Sequence, residues 1–264
     1  EMQRQGELRI ITDRMSLDEH WQISTATPVN APIGVIVMME GADPIVDPDQ
    51  VHAWWRRRLR VVSLAHYGHS HYACGTPPMD PNAAEKDGPL TPRGRALLKE
   101  IEQLPMAVDL THLSDISFFD TLDSYAGPVC ATHSNARALA DNIRQLTDDQ
   151  LKRIIERDGV IGMALCNGMI RWIDSKEPAR EQVTLEHVVQ HIDHICQLAG
   201  SADHVALGTD MDGGFGKESM PAEIETVVDV QKLAPMLSAR GFKDEDVAAI
   251  FHGNWLRFWR RVLK

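Results

Sequence analysis

An α/β fold with parallel strands, of the (β/α)8 TIM-type barrel class, is what this 264-residue sequence predicts. Three observations carry the expectation. Short apolar runs alternate with longer amphipathic stretches, the pattern of strand–helix–strand units with right-handed crossovers. The runs are apolar at nearly every position, as in strands covered on both faces. Most of them also end in a histidine or a carboxylate, and barrel enzymes gather their chemistry at the C-terminal ends of strands.

The strand candidates are Ile33–Met38, Val61–Leu64, Ala107–Leu110, Val129–Thr132, Val160–Leu165 and Val205–Gly208. Helices are expected between them. Thr91 to Leu104 opens with Thr-Pro, an N-cap followed by proline in the first turn. Asp115 to Tyr125 places Ile116, Phe119 and Leu122 at helical spacing. Thr147-Asp148-Asp149-Gln150 reads as a capping box opening a helix that runs to Asp158-Gly159. Thr184 to Leu198 ends in Leu-Ala-Gly, a helix stop. Further helices are expected over Pro221–Leu237 and Lys243–Phe251, and a last one from Asn254, with Trp255, Leu256, Phe258, Trp259 and Val262 on its apolar side.

Six strands do not close an eight-stranded barrel. The Arg- and Glu-rich opening, Glu1 to Glu19, reads as a helix and its connection. The expectation is therefore one catalytic barrel domain over residues 1–264 whose first strands lie outside this sequence. The stretch from His66 to Leu90 is a long loop rich in Gly, Pro, His and Tyr, and loops of that length in a compact domain are usually functional.

Composition narrows the partners. A formal net charge of −11 argues against nucleic acid and anionic membrane, both of which need clustered Lys and Arg. The one basic cluster, Arg56 to Arg60, reads as the solvated end of a helix feeding a strand. No apolar stretch is long enough for a membrane span, so no membrane contact is expected. Cys74, Cys130, Cys166 and Cys196 are widely spaced, which suits reduced thiols and a cytoplasmic location. Trp255 and Trp259 suit either core packing or a homodimer contact.

The residues at the C-terminal end of each strand carry the chemistry. In order these are Glu40-Gly41, His66, Asp109 to His112, His133, and Asp210 with Asp212. Singly, a histidine after a strand is usually a hydrogen-bonded loop residue and an Asp-Gly is usually a turn. The recurrence at the same strand end favours a metal site, because two histidines and a carboxylate are standard zinc ligands. His187, His191 and His194 lie along a predicted helix, where His191 and Asp193 point about 200° apart, and are read as structural. His69 and His71, in the long loop, are candidates to line a substrate pocket.

These stretches resemble the membrane (renal) dipeptidase family. The matching segments are Val37–Gly41, Val108–Ser114, Pro128–Arg137, Leu207–Gly214 and the closing Gly253–Arg257, so the similarity runs from about residue 30 to the end. The resemblance implies a two-zinc site bridged by Glu40, with His112 and His133 ligating one metal. It implies that His66 contacts the scissile carbonyl, that Arg144 holds the substrate carboxylate, and that Asp210 handles protons, with Asp212 close enough to exchange roles. The family's His-x-Asp pair, which ligates the other zinc from the first strand, has no counterpart here, so one zinc site is incomplete in this chain.

The expected activity is hydrolysis of dipeptides by a metal-bound hydroxide. Two rival classes share the sequence features. One is another metal-dependent amidohydrolase or lactonase on the same barrel. The other is a catalytically dead barrel that acts as a binding module, the reading favoured if the His-x-Asp pair is truly absent.

Overall fold

The computed structural model describes residues 1–77, 87–173, 177–211 and 213–264. Parts of the long loop and Asp212 therefore lie outside the described residues. The chain divides into two compact units, Glu1–Pro128 with Arg257–Lys264, and Val129–Leu256.

The first unit starts with a strand the sequence reading did not anticipate. β1 (Leu8–Ile10) lies where a helix and its connection were expected, and the helix, α1 (Arg14–Ala26), follows it. Asp13 caps α1, accepting from the Ser16 backbone N–H at 2.8 Å. The single strand expected at Ile33–Met38 is two, β2 (Ile33–Val35) and β3 (Val37–Met39), broken at Ile36. β1 pairs with β2, while β3 pairs with β4 (Leu59–Ser63) and β4 with β5 (Ala107–Asp109), every pairing parallel.

β4 is buried along its whole length. Its register against β3 slips at Val37/Met38, so that Leu59 and Val61 face consecutive residues of β3. The extra residue is Arg60. Its side chain is not solvated, as the sequence reading had it for the whole Arg56–Arg60 cluster. It is buried, stacks on the Trp55 ring, and donates to the carbonyls of Thr12, Trp55 and Leu59. Arg56, Arg57 and Arg58 are exposed, at the end of α2 (Val51–Arg56).

α3 (Pro92–Ile101) and α4 (Asp115–Ser124) cover the strands, burying Leu97, Leu98, Ile101, Phe118 and Leu122. Each such side chain contributes about 1.5–3 kcal/mol by leaving water. The Thr91 hydroxyl caps α3 as its sequence predicts, accepting from the Gly94 N–H at 3.0 Å. Gly94 itself packs so closely that a Cβ there would lie 2.1 Å from the Tyr72 carbonyl oxygen.

In the second unit β6 (Val129–Cys130) continues into a parallel bridge between Ala131 and Ile161 of β7 (Ile161–Met163), and β7 pairs in parallel with β8 (Val205–Leu207). α5 (Asp148–Glu156) begins with the expected capping box: the Gln150 N–H donates to the Thr147 hydroxyl, and the Thr147 N–H to the Gln150 side-chain oxygen. A single turn, α6 (Asn167–Ile170), follows β7. α7 (Leu185–Ala199) ends on Gly200 at φ 70°, the left-handed stop that glycine adopts without strain.

The helix expected over Pro221–Leu237 forms later than predicted. A 3-10 turn at Val227–Lys232 leads into α8 (Leu233–Arg240), which places Pro235 in the first helical turn, where its missing N–H has no intrahelical role. α9 (Asp244–Ala248) passes through a π-type turn at Ala249–Gly253 into α10 (Asn254–Val262), where two separate helices were read. No helix among the described residues is long and apolar enough to cross a membrane.

Candidate metal centre

Three of the predicted site residues come together in the first unit. Glu40, His66 and His112 follow β3, β4 and β5, and each offers a ligand atom such that all three lie within 4.8 Å of one another. The backbone explains the convergence. Gly41, at φ 83°, turns the chain sharply after Glu40, and its N–H donates to the Ser63 hydroxyl on β4 at 2.9 Å. The buried Asp109 carboxylate accepts from the Thr111 N–H at 3.1 Å and closes the turn that leads to His112. His112 then sits in the left-handed region at φ 69°, with its carbonyl accepting from the Thr76 N–H at 2.7 Å. A non-glycine residue held there costs free energy, and such residues cluster at functional sites.

The His112 ring is buried and its Nε2 lies 3.1 Å from a Glu40 carboxylate oxygen. The His66 ring, exposed, lies 4.3 Å from the His112 ring, centroid to centroid. One carboxylate and two imidazoles at this separation are a donor set that fits a zinc-type divalent cation. The sequence reading placed His66 on the substrate carbonyl and not among the ligands. The structure brings its ring to the same point as Glu40 and His112.

His133, Arg144 and Asp210 belong to the second unit. His133 is buried, and its Nδ1 meets the Thr132 hydroxyl at 2.8 Å, so a metal bond from this ring would come from Nε2. The Arg144 guanidinium, only 2% exposed, donates to the Ser134 hydroxyl at 3.1 Å and to the His133 carbonyl at 3.0 Å. Two of the five N–H donors of this side chain therefore hold the segment that carries His133. Asp210 is half-buried at φ 56°, and its carbonyl accepts from the Gly213 N–H at 2.9 Å. The second carboxylate of that pair, Asp212, lies outside the described residues.

Several residues of the predicted motifs turn out to build the His133 segment. A Cβ at Gly162 or at Gly208 would lie 2.0 or 1.9 Å from the Thr132 carbonyl oxygen, so neighbouring strands both need glycine for the chain before His133 to pass. The buried Asn135 side chain donates to the carbonyls of Ala164 and Met169 and accepts from the Ala164 N–H. His191, read as structural, receives the Ala136 N–H on Nδ1 at 3.1 Å and donates from Nε2 to the Ile170 carbonyl at 2.8 Å. His194 pairs with Asp148, and His187 accepts from the Thr184 N–H to cap α7. Of the loop histidines, His69 contacts the Cys74 thiol at 3.1 Å and His71 lies 3.4 Å from Asp43.

Sequence reasoning missed Tyr67. Its ring packs edge-to-face on both imidazoles, 4.7 Å from His66 and 4.6 Å from His112. The only signal was its place beside His66, since a tyrosine in a loop has no periodicity to betray it.

A family model for the membrane dipeptidases, peptidase family M19, matches residues 8–264. The chain belongs to this family. A dipeptidase (tcpJ) of Claviceps purpurea is 33% identical over 214 residues, 78% of this chain and 45% of that protein. An uncharacterised protein of the pqqA 5′ region in Klebsiella pneumoniae is 34% identical over 182 residues, 69% of this chain and 64% of that protein. The chain thus spans about half to two-thirds of the length of these curated relatives. A metallopeptidase from Rhodobacter sphaeroides, solved with a phosphinate mimic of the dipeptide L-Ala-D-Ala, superposes with a TM-score of 0.83 at 27% identity, covering 99% of this chain and 71% of that one. The M19 chain has the α/β, TIM-type barrel fold class that the sequence predicted.

Proposed function

We propose that this chain carries the metal site of a zinc-dependent dipeptidase. The observation that carries the reading is the convergence of Glu40, His66 and His112 at the ends of three adjacent parallel strands in an M19 chain. Zinc, when bound, polarises a carbonyl and brings the pKa of a bound water near 7.

The chain's own residues do the rest. Glu40 and His112 would hold the metal, through a carboxylate oxygen and an imidazole nitrogen. His133, whose Nδ1 is taken by the Thr132 hydroxyl, would offer a metal its Nε2. The exposed imidazole of His66 steadies the negative charge that develops on the substrate carbonyl oxygen. Asp210 takes a proton from the attacking water and passes it to the leaving amine. Arg144 recognises the C-terminal carboxylate of a short peptide, for which a guanidinium fork is well shaped. The ligand of the Rhodobacter relative extends the substrate class to peptides with a D-residue at the C-terminal position. Cytoplasmic residence and a homodimer belong to the same reading.

The test is release of free amino acids from paired L-X-L-X and L-X-D-X dipeptides by the full-length protein, with and without a chelator. Cleavage that the chelator abolishes and Zn²⁺ restores is the expected result. Turnover of a lactone with no dipeptide cleavage would replace this reading with another amidohydrolase activity. A protein that takes up no metal and cleaves nothing would make it a binding module.

A further inference from the structure

We infer that Tyr67 is a positioning residue that fixes the orientation of both His66 and His112, an inference that rests on the reading of these histidines as part of a metal site. Three rings form one corner. His66 and His112 are 4.3 Å apart with a tilt of 50°, and Tyr67 stands nearly perpendicular to each, at 72° to His66 and 81° to His112. These separations and angles are those of favourable edge-to-face aromatic pairs.

The corner matters because an imidazole's outer torsion is soft. Its preferred angles are broad, so packing or hydrogen bonding must choose where the ring nitrogens point. His112 is enclosed, but His66 is exposed. With Tyr67 against both rings, neither can turn without losing an aromatic contact. A metal ligand or a carbonyl partner that is pre-aimed gives up less entropy on binding.

Tyr67 is itself held. The following residue, Gly68, is at φ 72°, and its N–H donates to the Thr76 carbonyl while its carbonyl accepts from the Gly75 N–H at 2.7 Å. On the other side, the His66 carbonyl oxygen approaches Gly75 so closely that a Cβ there would lie 2.1 Å away. The backbone of residues 66–68 is clamped against residues 75–76, and the half-buried Tyr67 ring projects from this clamp onto the two histidines. The device therefore couples the strand-end loop after β4 to the ligand on β5.

The experiment compares Tyr67→Phe, Tyr67→Leu and Tyr67→Met. Three readouts are taken: zinc affinity by chelator competition, kcat and KM on a cleaved dipeptide, and the ring-proton NMR shifts of the histidines in metal-free protein. Tyr67→Phe keeps the ring and should stay within about twofold of the wild type in all rate and affinity terms. Tyr67→Leu and Tyr67→Met should bind zinc about 10- to 100-fold more weakly and lose kcat by a similar factor, the scale seen when a group that orients a metal ligand is removed. KM should change little, and the His66 and His112 ring-proton shifts should move toward random-coil values. The two ringless variants guard against a folding defect in either one. Wild-type zinc affinity in both would overturn the inference, and so would a Tyr67→Phe variant as weak as Tyr67→Leu, since the hydroxyl would then be the acting group. If the wild type binds zinc but cleaves no dipeptide, the dipeptidase reading falls, while the affinity and NMR comparisons still decide the role of Tyr67. If the wild type binds no zinc, both readings fall together.

Discussion

Acid should destabilise this protein through one buried histidine. His191 on α7 is buried, and its two ring nitrogens are both engaged, Nε2–H with the Ile170 carbonyl and Nδ1 with the Ala136 N–H. Protonation would place an N–H on Nδ1 facing another N–H, in a buried site. Burial accordingly pushes its pKa down from the ordinary 6.5 to about 4, with the neighbouring His194 and His187 adding to the effect. The unfolded chain takes up a proton near pH 6.5, whereas the folded chain resists until about pH 4. The stabilisation is therefore complete above the unfolded value and is lost as pH falls through the window between the two. At 1.36 kcal/mol per unit the full loss is about 3 kcal/mol, of which about 2 kcal/mol has gone by pH 5. Urea unfolding of the wild type and of His191→Gln from pH 8 to pH 4.5 measures it. Comparing the two cancels the contributions of His187 and His20, whose pKa values burial also lowers. The stability difference should shrink by about 2 kcal/mol between pH 8 and pH 5. A difference that stays constant across that range would refute the argument.

Arg144→Ala should raise KM for free dipeptides far more than for dipeptide amides, which lack the carboxylate; steady-state kinetics on matched pairs checks it, and equal losses would leave Arg144 only its role of holding the His133 segment. Gly208→Ala should destabilise the protein by about 1–3 kcal/mol or more, because the new methyl meets the Thr132 carbonyl, and thermal or urea unfolding reads this directly. The Cys166 and Cys196 thiols should react slowly with a thiol reagent at pH 8. Burial first, and nearby carboxylates second, push them up to about 11 and about 12, so almost no thiolate exists at that pH, and mass mapping after a timed exposure would show it.

Much of the second unit was legible because its signals are local. The Thr147–Gln150 box and the Gly200 stop are written within a few residues of the helix ends they define. β1 was not legible for the opposite reason. Leu8–Ile10 is three residues long among charged neighbours, and only its pairing with Ile33–Val35 makes it a strand. The late start of α8 follows from Pro235, which is tolerated in a first turn and would break a helix already under way. Arg60 was misread because a bulge is a property of two strands together, and nothing in one strand announces it. At the candidate site the sequence showed which residue types end each strand. It was silent on the side chains that touch them, Tyr67 on His66 and His112 and the Thr132 hydroxyl on His133, because such contacts depend on local backbone geometry that residue type alone does not fix.

His112 and Asp210 share a backbone feature with an evolutionary consequence. Both are held with positive φ, a region uncommon for any residue with a Cβ and open to glycine without strain. On the proposed reading of His112 as a metal ligand, replacing it with asparagine or glycine would remove a ligand and relax the backbone in one step, at the cost of the packing its buried ring makes with His66 and Tyr67. Where the backbone relief outweighs the lost packing, a screen that rewards only heat resistance or expression would enrich the variant. On that reading, selection for turnover is what keeps a histidine at a position that glycine occupies without strain.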